Sequence, residues 1–234
     1  LKKELPNYDD DRTVTKSDAR HLSKKGLDIE NRSFQIIDAE VRSHDYNEME
    51  WTIVRRVIHA TADFDFAREA RILFRNDPIN SAFKAIRDGC TVITDVDMVL
   101  SGINKKSAAA LGLKITCHIS NKKVADEAQK YNRTRSEMAM RMAAEEMNSG
   151  IVVIGNAPTA LYETITMTKD CVTNPALVVG IPVGFISASE SKSELRKTDI
   201  PSITNKGRKG GSAAASSIIN AIMLLYQAIH VTDS

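Results

Sequence analysis

The apolar residues of this chain change rhythm near residue 90. Before that point they recur at helical spacing. The segment IENRSFQIIDAEVRSH places Ile29, Phe34, Ile36, Ile37 and Val41 at near-helical intervals, and residues 48–62 repeat the pattern with Met49, Ile53, Val54, Val57 and Ile58. A further short helix is expected over 78–87, where Pro78 suits a first turn. Beyond residue 90, short β-branched runs alternate with helical stretches. Strands are expected over 90–96, 113–120, 151–158 and 176–186, with an edge strand at 201–204. A loop and small helix follow the first strand. A long helix over 122–148, carrying Val124, Ala128, Tyr131, Met138, Met142, Ala143 and Met147, is expected to stop at Gly150. Shorter helices are expected over 158–168 and 190–196, and a terminal one over 212–229.

Strands alternating with helices imply an α/β domain built on a mainly parallel sheet with helices on both faces, preceded by N-terminal helices. The run IVVIGNAP is apolar enough to be buried on both faces. Ligands of such sheets sit beyond the carboxyl ends of the strands, which places Asp95, His118, Asn156 and the residues after Phe185 near one rim. Residues 1–25 read as a charged arm and 26–234 as a single domain, without internal repeat or low-complexity tract.

Composition narrows the classes. The 234 residues are 42% hydrophobic and 26% charged, ordinary for a soluble globular protein. A net charge of +2 and few aromatics give no reason to expect nucleic-acid or membrane binding. No apolar stretch reads as a membrane span and no secretory signal opens the chain, so a cytoplasmic location is expected. Cys90, Cys117 and Cys171 form no metal-ligand spacing and no disulfide framework, and Cys90 and Cys117 read as buried thiols.

The segment from Lys206 to Ser212 holds the most chemistry. Gly207, Gly210 and Gly211 permit positive φ and close approach of a ligand, Lys206, Arg208 and Lys209 supply charge, and a helix N-terminus at Ser212 offers unpaired N–H groups. An anion site and a solvated basic loop capped by Ser212 explain these residues equally well. His59 stands where an apolar helix ends, followed by Asp63 and Asp65, which are placed to raise its pKa. A lone histidine there is more often structural than catalytic. His21, His44 and His230 are weaker candidates, and His118 suits either core or rim. Arg133 and Arg135 open the long helix at phases that separate them, so one can meet a carboxylate while the other faces solvent. Asn156 suits a helix cap or a ligand contact. Nucleophile-elbow, zinc-helix and nucleotide-binding glycine motifs are absent, which weighs against hydrolase, kinase and dinucleotide-dependent dehydrogenase readings.

Taken together, IENRSFQII, VRRVIHATADFDFA, ITDVDMVLSGINKK, TRSEMAMRMA, IGNAPTAL, GIPVGFISASESK and GRKGGSAAA resemble the precorrin-8X methylmutase family of cobalamin biosynthesis, over about residues 28–225. One departure is ISASES, where the family more often has VGAAES; serine is still small. The resemblance implies a three-layer α/β/α, flavodoxin-like fold and a homodimer with active sites near the subunit interface. It implies an isomerase that moves a ring methyl from C-11 to C-12 of precorrin-8, or of its cobalt form, without a cofactor. It places the essential histidine at His59 and substrate contacts at Arg135 and Ser33; the other substrate contacts expected at the rim are Lys105, Ser136, Asn156, Gly207, Arg208, Gly210, Gly211 and Ser212. A non-catalytic corrinoid carrier and an unrelated small-molecule enzyme on the same scaffold are the competing readings.

Overall fold

The computed structural model describes residues 23–230; residues 1–22 of the arm expected over 1–25, with His21, and residues 231–234 lie outside them. The first helix starts inside the stretch assigned to the arm. Ser23 caps α1 (Lys24–Val41) by accepting from the Gly26 N–H. Asn47 and Glu50 form a reciprocal capping box that opens α2 (Glu48–Thr61). A single 3-10 turn at Phe64–Ala67 leads into β1 (Ile72–Arg75), a strand the sequence pattern did not predict.

The remaining elements follow in order: α3 (Pro78–Arg87), β2 (Thr91–Thr94), α4 (Asp97–Gly102), α5 (Lys105–Ala110), β3 (Lys114–Cys117), α6 (Lys122–Lys130), α7 (Arg135–Met142), β4 (Ile151–Ile154), α8 (Pro158–Lys169), β5 (Leu177–Gly180), α9 (Ala188–Leu195), β6 (Ser202–Asn205) and α10 (Ser212–His230). The six strands form one sheet in the order β1-β6-β5-β4-β2-β3, parallel except for β1 against β6. Counted from β2, the five parallel strands run 2-1-3-4-5, the flavodoxin-like order, with β1 added antiparallel at one edge.

Alternation along the strands divides the core in two. Val92, Ile151, Val153, Leu177, Val179 and Ile203 face one layer of helices, which includes α2, α3 and α10. Ile93, Val152, Ile154 and Val178 face the other, with α6, α7, α8 and α9. This is the period-2 geometry of a strand, applied to residues that are apolar on both faces.

Three expectations change. The segment 201–204 is not an edge: β6 lies between β1 and β5 and is wholly buried, because β1 covers its free side. The expected helix over 122–148 is two helices and a run of turns. Asn132 adopts φ 50° after α6, and Thr134 then caps α7, accepting from the Glu137 N–H while the Glu137 carboxylate accepts from Thr134 N–H at 2.7 Å. The T-x-x-E spacing of a capping box was the available signal. Finally, α10 is long and apolar enough, by length and composition, to cross a membrane. It packs instead as a core helix against α2, α3 and α4, with Ala214, Ala215, Ile218, Ile219, Ala221 and Ile222 buried.

Gly155 sets where α10 begins. A Cβ there would lie 2.9 Å from Ala215 Cβ, Ser212 Cα and Val99 Cγ2, so only glycine lets α10 start directly against the end of β4. Thr134→Ala removes the α7 cap and the Thr134–Thr159 hydroxyl contact; urea denaturation should show a loss of about 1 kcal/mol.

Candidate active site

The strand order reverses between β2 and β4, and the residues just beyond their carboxyl ends are Asp95 and Gly155. Asp95 is fully buried and accepts from the N–H groups of Gly155, Asn156 and Ala157 at 3.1, 2.8 and 2.7 Å. Burial pushes its carboxyl above the usual carboxylate range, while these donors pull the other way. Asp95 thereby holds the turn that leads from β4 into α8. Asn156, weighed as a helix cap, does not cap it: its backbone is held by Asp95 and its side chain is exposed at the rim.

Across the rim stands α7. The Thr134 and Thr159 hydroxyls meet at 3.0 Å, so the first turn of α7, with exposed Arg135 and half-buried Ser136, lies beside the start of α8. Arg133 precedes the helix and is committed to structure. It bonds the buried Glu163 at 3.1 Å, and Arg141 reaches the same carboxylate at 2.7 Å. Arg135 has no partner among the described residues, so of the two arginines it is the one left for a ligand.

The Gly-rich turn joins β6 to α10. Gly207, Gly210 and Gly211 all have positive φ, and a Cβ at Gly210 would collide with the Ile181 carbonyl. The turn is laced to the loop after β5 by Gly211 N–H to Ile181 O at 3.0 Å and Gly184 N–H to Arg208 O at 3.1 Å. The N–H groups of residues 207–210 find no acceptor among the described residues. Ser212 is the first residue of α10 rather than its cap, since Ala215 N–H bonds to Gly211 O. Arg208 lies over the Phe185 ring, 5.3 Å from its centroid.

His59 is exposed in the last turn of α2, its ring 5.3 Å from that of Phe34. Asp63 and Asp65 do not attend it. Both carboxylates bind Lys209 Nζ, at 2.7 and 2.6 Å, and Asp63 also accepts from Asp65 N–H to open the 3-10 turn. These two bonds hold the Lys209 ammonium above its ordinary pKa. They also pin the Gly-rich turn to the segment leaving the His59 helix. A hollow of about 380 Å³ opens there, lined by Ala60, Met98, Gly102, Ser212, Ala213 and Ser216.

Of the expected contacts, only Ser212 lines this hollow; Asn156, Arg135, Ser136 and the residues of the Gly-rich turn lie outside its lining, and Ser33 and Lys105 are engaged elsewhere. Ser33, half-buried on α1 one residue before Phe34, donates to Ile29 O at 2.8 Å. Lys105 folds back onto the Leu100 carbonyl beside a separate 220 Å³ depression, and burial lowers its pKa. A larger hollow of about 570 Å³ lies at the amino ends of the strands, by Thr91, Ala176 and Pro201, away from all these groups.

The remaining candidates resolve as structure. His44 stacks on Trp51 at 4.0 Å, His230 stacks on Tyr226 at 4.5 Å, and His118 lies 3.3 Å from Glu146. Cys90 is buried, which pushes its thiol up to about 11, whereas Cys117 is only half-buried and Cys171 is exposed.

The model of the precorrin-8X methylmutase family matches residues 28–225. The chain belongs to that family. The "Cobalt-precorrin-8 methylmutase" of Priestia megaterium is 44% identical over 210 residues, covering 90% of this chain and 92% of that one. The protein of the same name from Leptospira interrogans is 42% identical, covering 88% and 96%. The crystal structure of a precorrin-8X methyl mutase from Thermus thermophilus superposes with a TM-score of 0.81 at 34% identity, covering 87% of this chain and 97% of that one. The methylmutases are isomerases of cobalamin biosynthesis, and the mainly parallel α/β sheet is their fold.

Sequence reasoning missed Asp95 as the organiser of the α8 start and the tie from Asp63 and Asp65 to Lys209. An acidic residue directly after a β-branched strand was the signal for Asp95; the second contact spans 146 residues and left none. Asp95→Asn would keep one acceptor oxygen and turn its NH2 toward either the Gly155 N–H or those of Asn156 and Ala157; thermal or urea unfolding should show a loss of about 1–3 kcal/mol.

Proposed function

We propose that this chain is a methylmutase acting on cobalt-precorrin-8, moving the ring methyl from C-11 to C-12 to give cobyrinate, the cobalt counterpart of the precorrin-8 to hydrogenobyrinate reaction. The names of the two relatives above favour the cobalt form, in which the metal belongs to the substrate. The observation that carries the reading is the juxtaposition at one rim. His59 stands in the last turn of α2 next to Ala60, which lines a hollow whose other wall is the start of α10. The Gly-rich turn leading into α10 is tied by Lys209 to the segment after α2 and carries Arg208 and N–H groups without an acceptor among the described residues.

The chemistry asks for little else. One bond to the methyl carbon breaks and one forms within a single molecule, so neither a second substrate nor an electron acceptor takes part. The substrate is a broad macrocycle with carboxylates around its edge. The N–H groups of residues 207–210, with Arg208 and Arg135, are suited to those carboxylates. Ser212, Ser136, Ser33 and Asn156 add neutral contacts, and Lys105 reaches the edge only by leaving Leu100. His59 donates a proton or hydrogen bond to the macrocycle as its conjugation rearranges. Phe34 holds one side of the imidazole.

A second copy of the chain completes the site. A hollow of about 380 Å³ is too small to enclose a corrin. Beside the Gly-rich turn, Phe185 and Ile186 are 86% and 84% exposed, an apolar pair that a homodimer would cover. Phe185→Asp should convert a dimer into a monomer by sedimentation velocity; a monomeric native protein would refute the assembly.

The activity is tested by absorbance, following conversion of cobalt-precorrin-8. His59→Ala should abolish turnover and keep substrate binding, whereas Arg208→Ala should weaken binding by about 1–3 kcal/mol. Undiminished turnover in His59→Ala would remove the histidine from the mechanism.

A further inference from the structure

Lys192 is the most unexpected side chain in the core. It lies on α9, is fully buried, and forms no ion pair with any described carboxylate. Its ammonium donates to the Asn205 side-chain carbonyl at 2.9 Å and to the Lys209 backbone carbonyl at 2.6 Å. Asn205 in turn donates to the carbonyls of Lys206 and Lys209, at 3.0 and 2.9 Å. One turn further along, Arg196 at the C-cap of α9 donates to the Asn205 backbone carbonyl at 3.0 Å. The carbonyls of residues 206 and 209 are therefore drawn into the protein, and that of 208 is taken by Gly184 N–H. A turn whose carbonyls are held inward has its N–H groups left for a ligand.

We propose that Lys192 is a positioning residue for the reaction: its buried ammonium holds the Gly-rich turn in its anion-binding form and supplies positive charge beneath it. The substrate never touches Lys192. A buried cation without a carboxylate partner is costly, and a neutral residue would be the ordinary choice for packing. Its retention beneath this turn is explained when an anion above the turn is the missing counter-charge. The inference rests on the turn being the carboxylate site proposed above.

Burial, with a smaller contribution from Arg196, lowers the Lys192 pKa to about 7. The other charged groups nearby act elsewhere. Glu190 and Glu194 face Tyr162 of α8, Glu194 also pairs with Lys197, and the Lys209 ammonium is turned outward to Asp63 and Asp65. No acidic or basic side chain lies on β6. Below about pH 7 the ammonium is charged and the turn binds anions best. As the pH rises through that value the bonds become neutral and weaker, and binding falls.

Two measurements separate this inference from the function it rests on. In ligand-free protein, the amide NMR signals of Gly207, Gly210 and Gly211 should titrate with a midpoint near pH 7. The step should vanish in Lys192→Met and move to higher pH in Arg196→Gln, which removes the neighbouring charge. Absence of the step from the native protein, or its persistence in Lys192→Met, would overturn the proposal. If Lys192→Met does not fold, an unmoved midpoint in Arg196→Gln does the same. In the catalysed reaction, KM should rise about fivefold across the same midpoint through loss of charge-assisted bonding. Lys192→Met should have a uniformly high KM with kcat little changed. An NMR step without a KM change would leave Lys192 as the holder of the turn and refute the turn as the carboxylate site.

Discussion

Lys209 joins the two halves of the proposed site. Its side chain binds Asp63 and Asp65, just past the end of the His59 helix, and its backbone carbonyl receives the buried ammonium of Lys192. The acid candidate and the Gly-rich turn come from segments about 150 residues apart in the chain. Antiparallel pairing of β1 with β6, continued by Lys206 N–H to Arg71 O at 3.3 Å, brings the two segments to the same end of the sheet, and Lys209 then ties them side chain to side chain. The Lys209 ammonium is about half exposed, so its pairing adds little to global stability. Its consequence is geometric, fixing the turn relative to the helix that carries His59.

Around that contact the fold acts as a support. Strands buried on both faces leave only the two ends of the sheet for chemistry, and the strand reversal between β2 and β4 selects the carboxyl end. There Asp95 takes up the N–H groups of the turn before α8, and that helix opens on Pro158, which has no N–H to offer. The start of α10 remains, and Gly155 brings it onto the end of β4. The larger hollow at the opposite end has volume but none of these donors. Chemistry and topology, rather than size, support the proposed site.

Much of the architecture was legible in the sequence because the signals were local. The β-branched runs ending near Thr94, Cys117, Ile154 and Gly180 predicted four parallel strands, and Pro78 and Pro158 marked helix starts. The errors came where local pattern competes with long-range pairing. ILFR is too short and too mixed to announce a strand, and it becomes one only by pairing with β6. Without β1, the segment 201–204 looked like an edge. The long helix failed for a local reason that was readable, the capping box at Thr134. The site followed the same division. His59 and the Gly-rich turn could be picked out, whereas the function of Asp63, Asp65 and Lys192 lies in contacts that no spacing reveals. Helical phase alone did not choose between Arg133 and Arg135; the resemblance pointed to Arg135, and the ion pair of Arg133 with Glu163 leaves Arg135 as the one without a partner among the described residues.

The central claim is that the macrocycle sits between His59 and the Gly-rich turn. A crystal structure of the protein with its corrin product bound would test it directly. The account predicts a carboxylate on the N–H groups of residues 207–210, with an imidazole nitrogen of His59 in hydrogen-bond range of the ring edge that carries the migrated methyl. A product lodged at the amino ends of the strands, or bound with His59 remote from that edge, would contradict it.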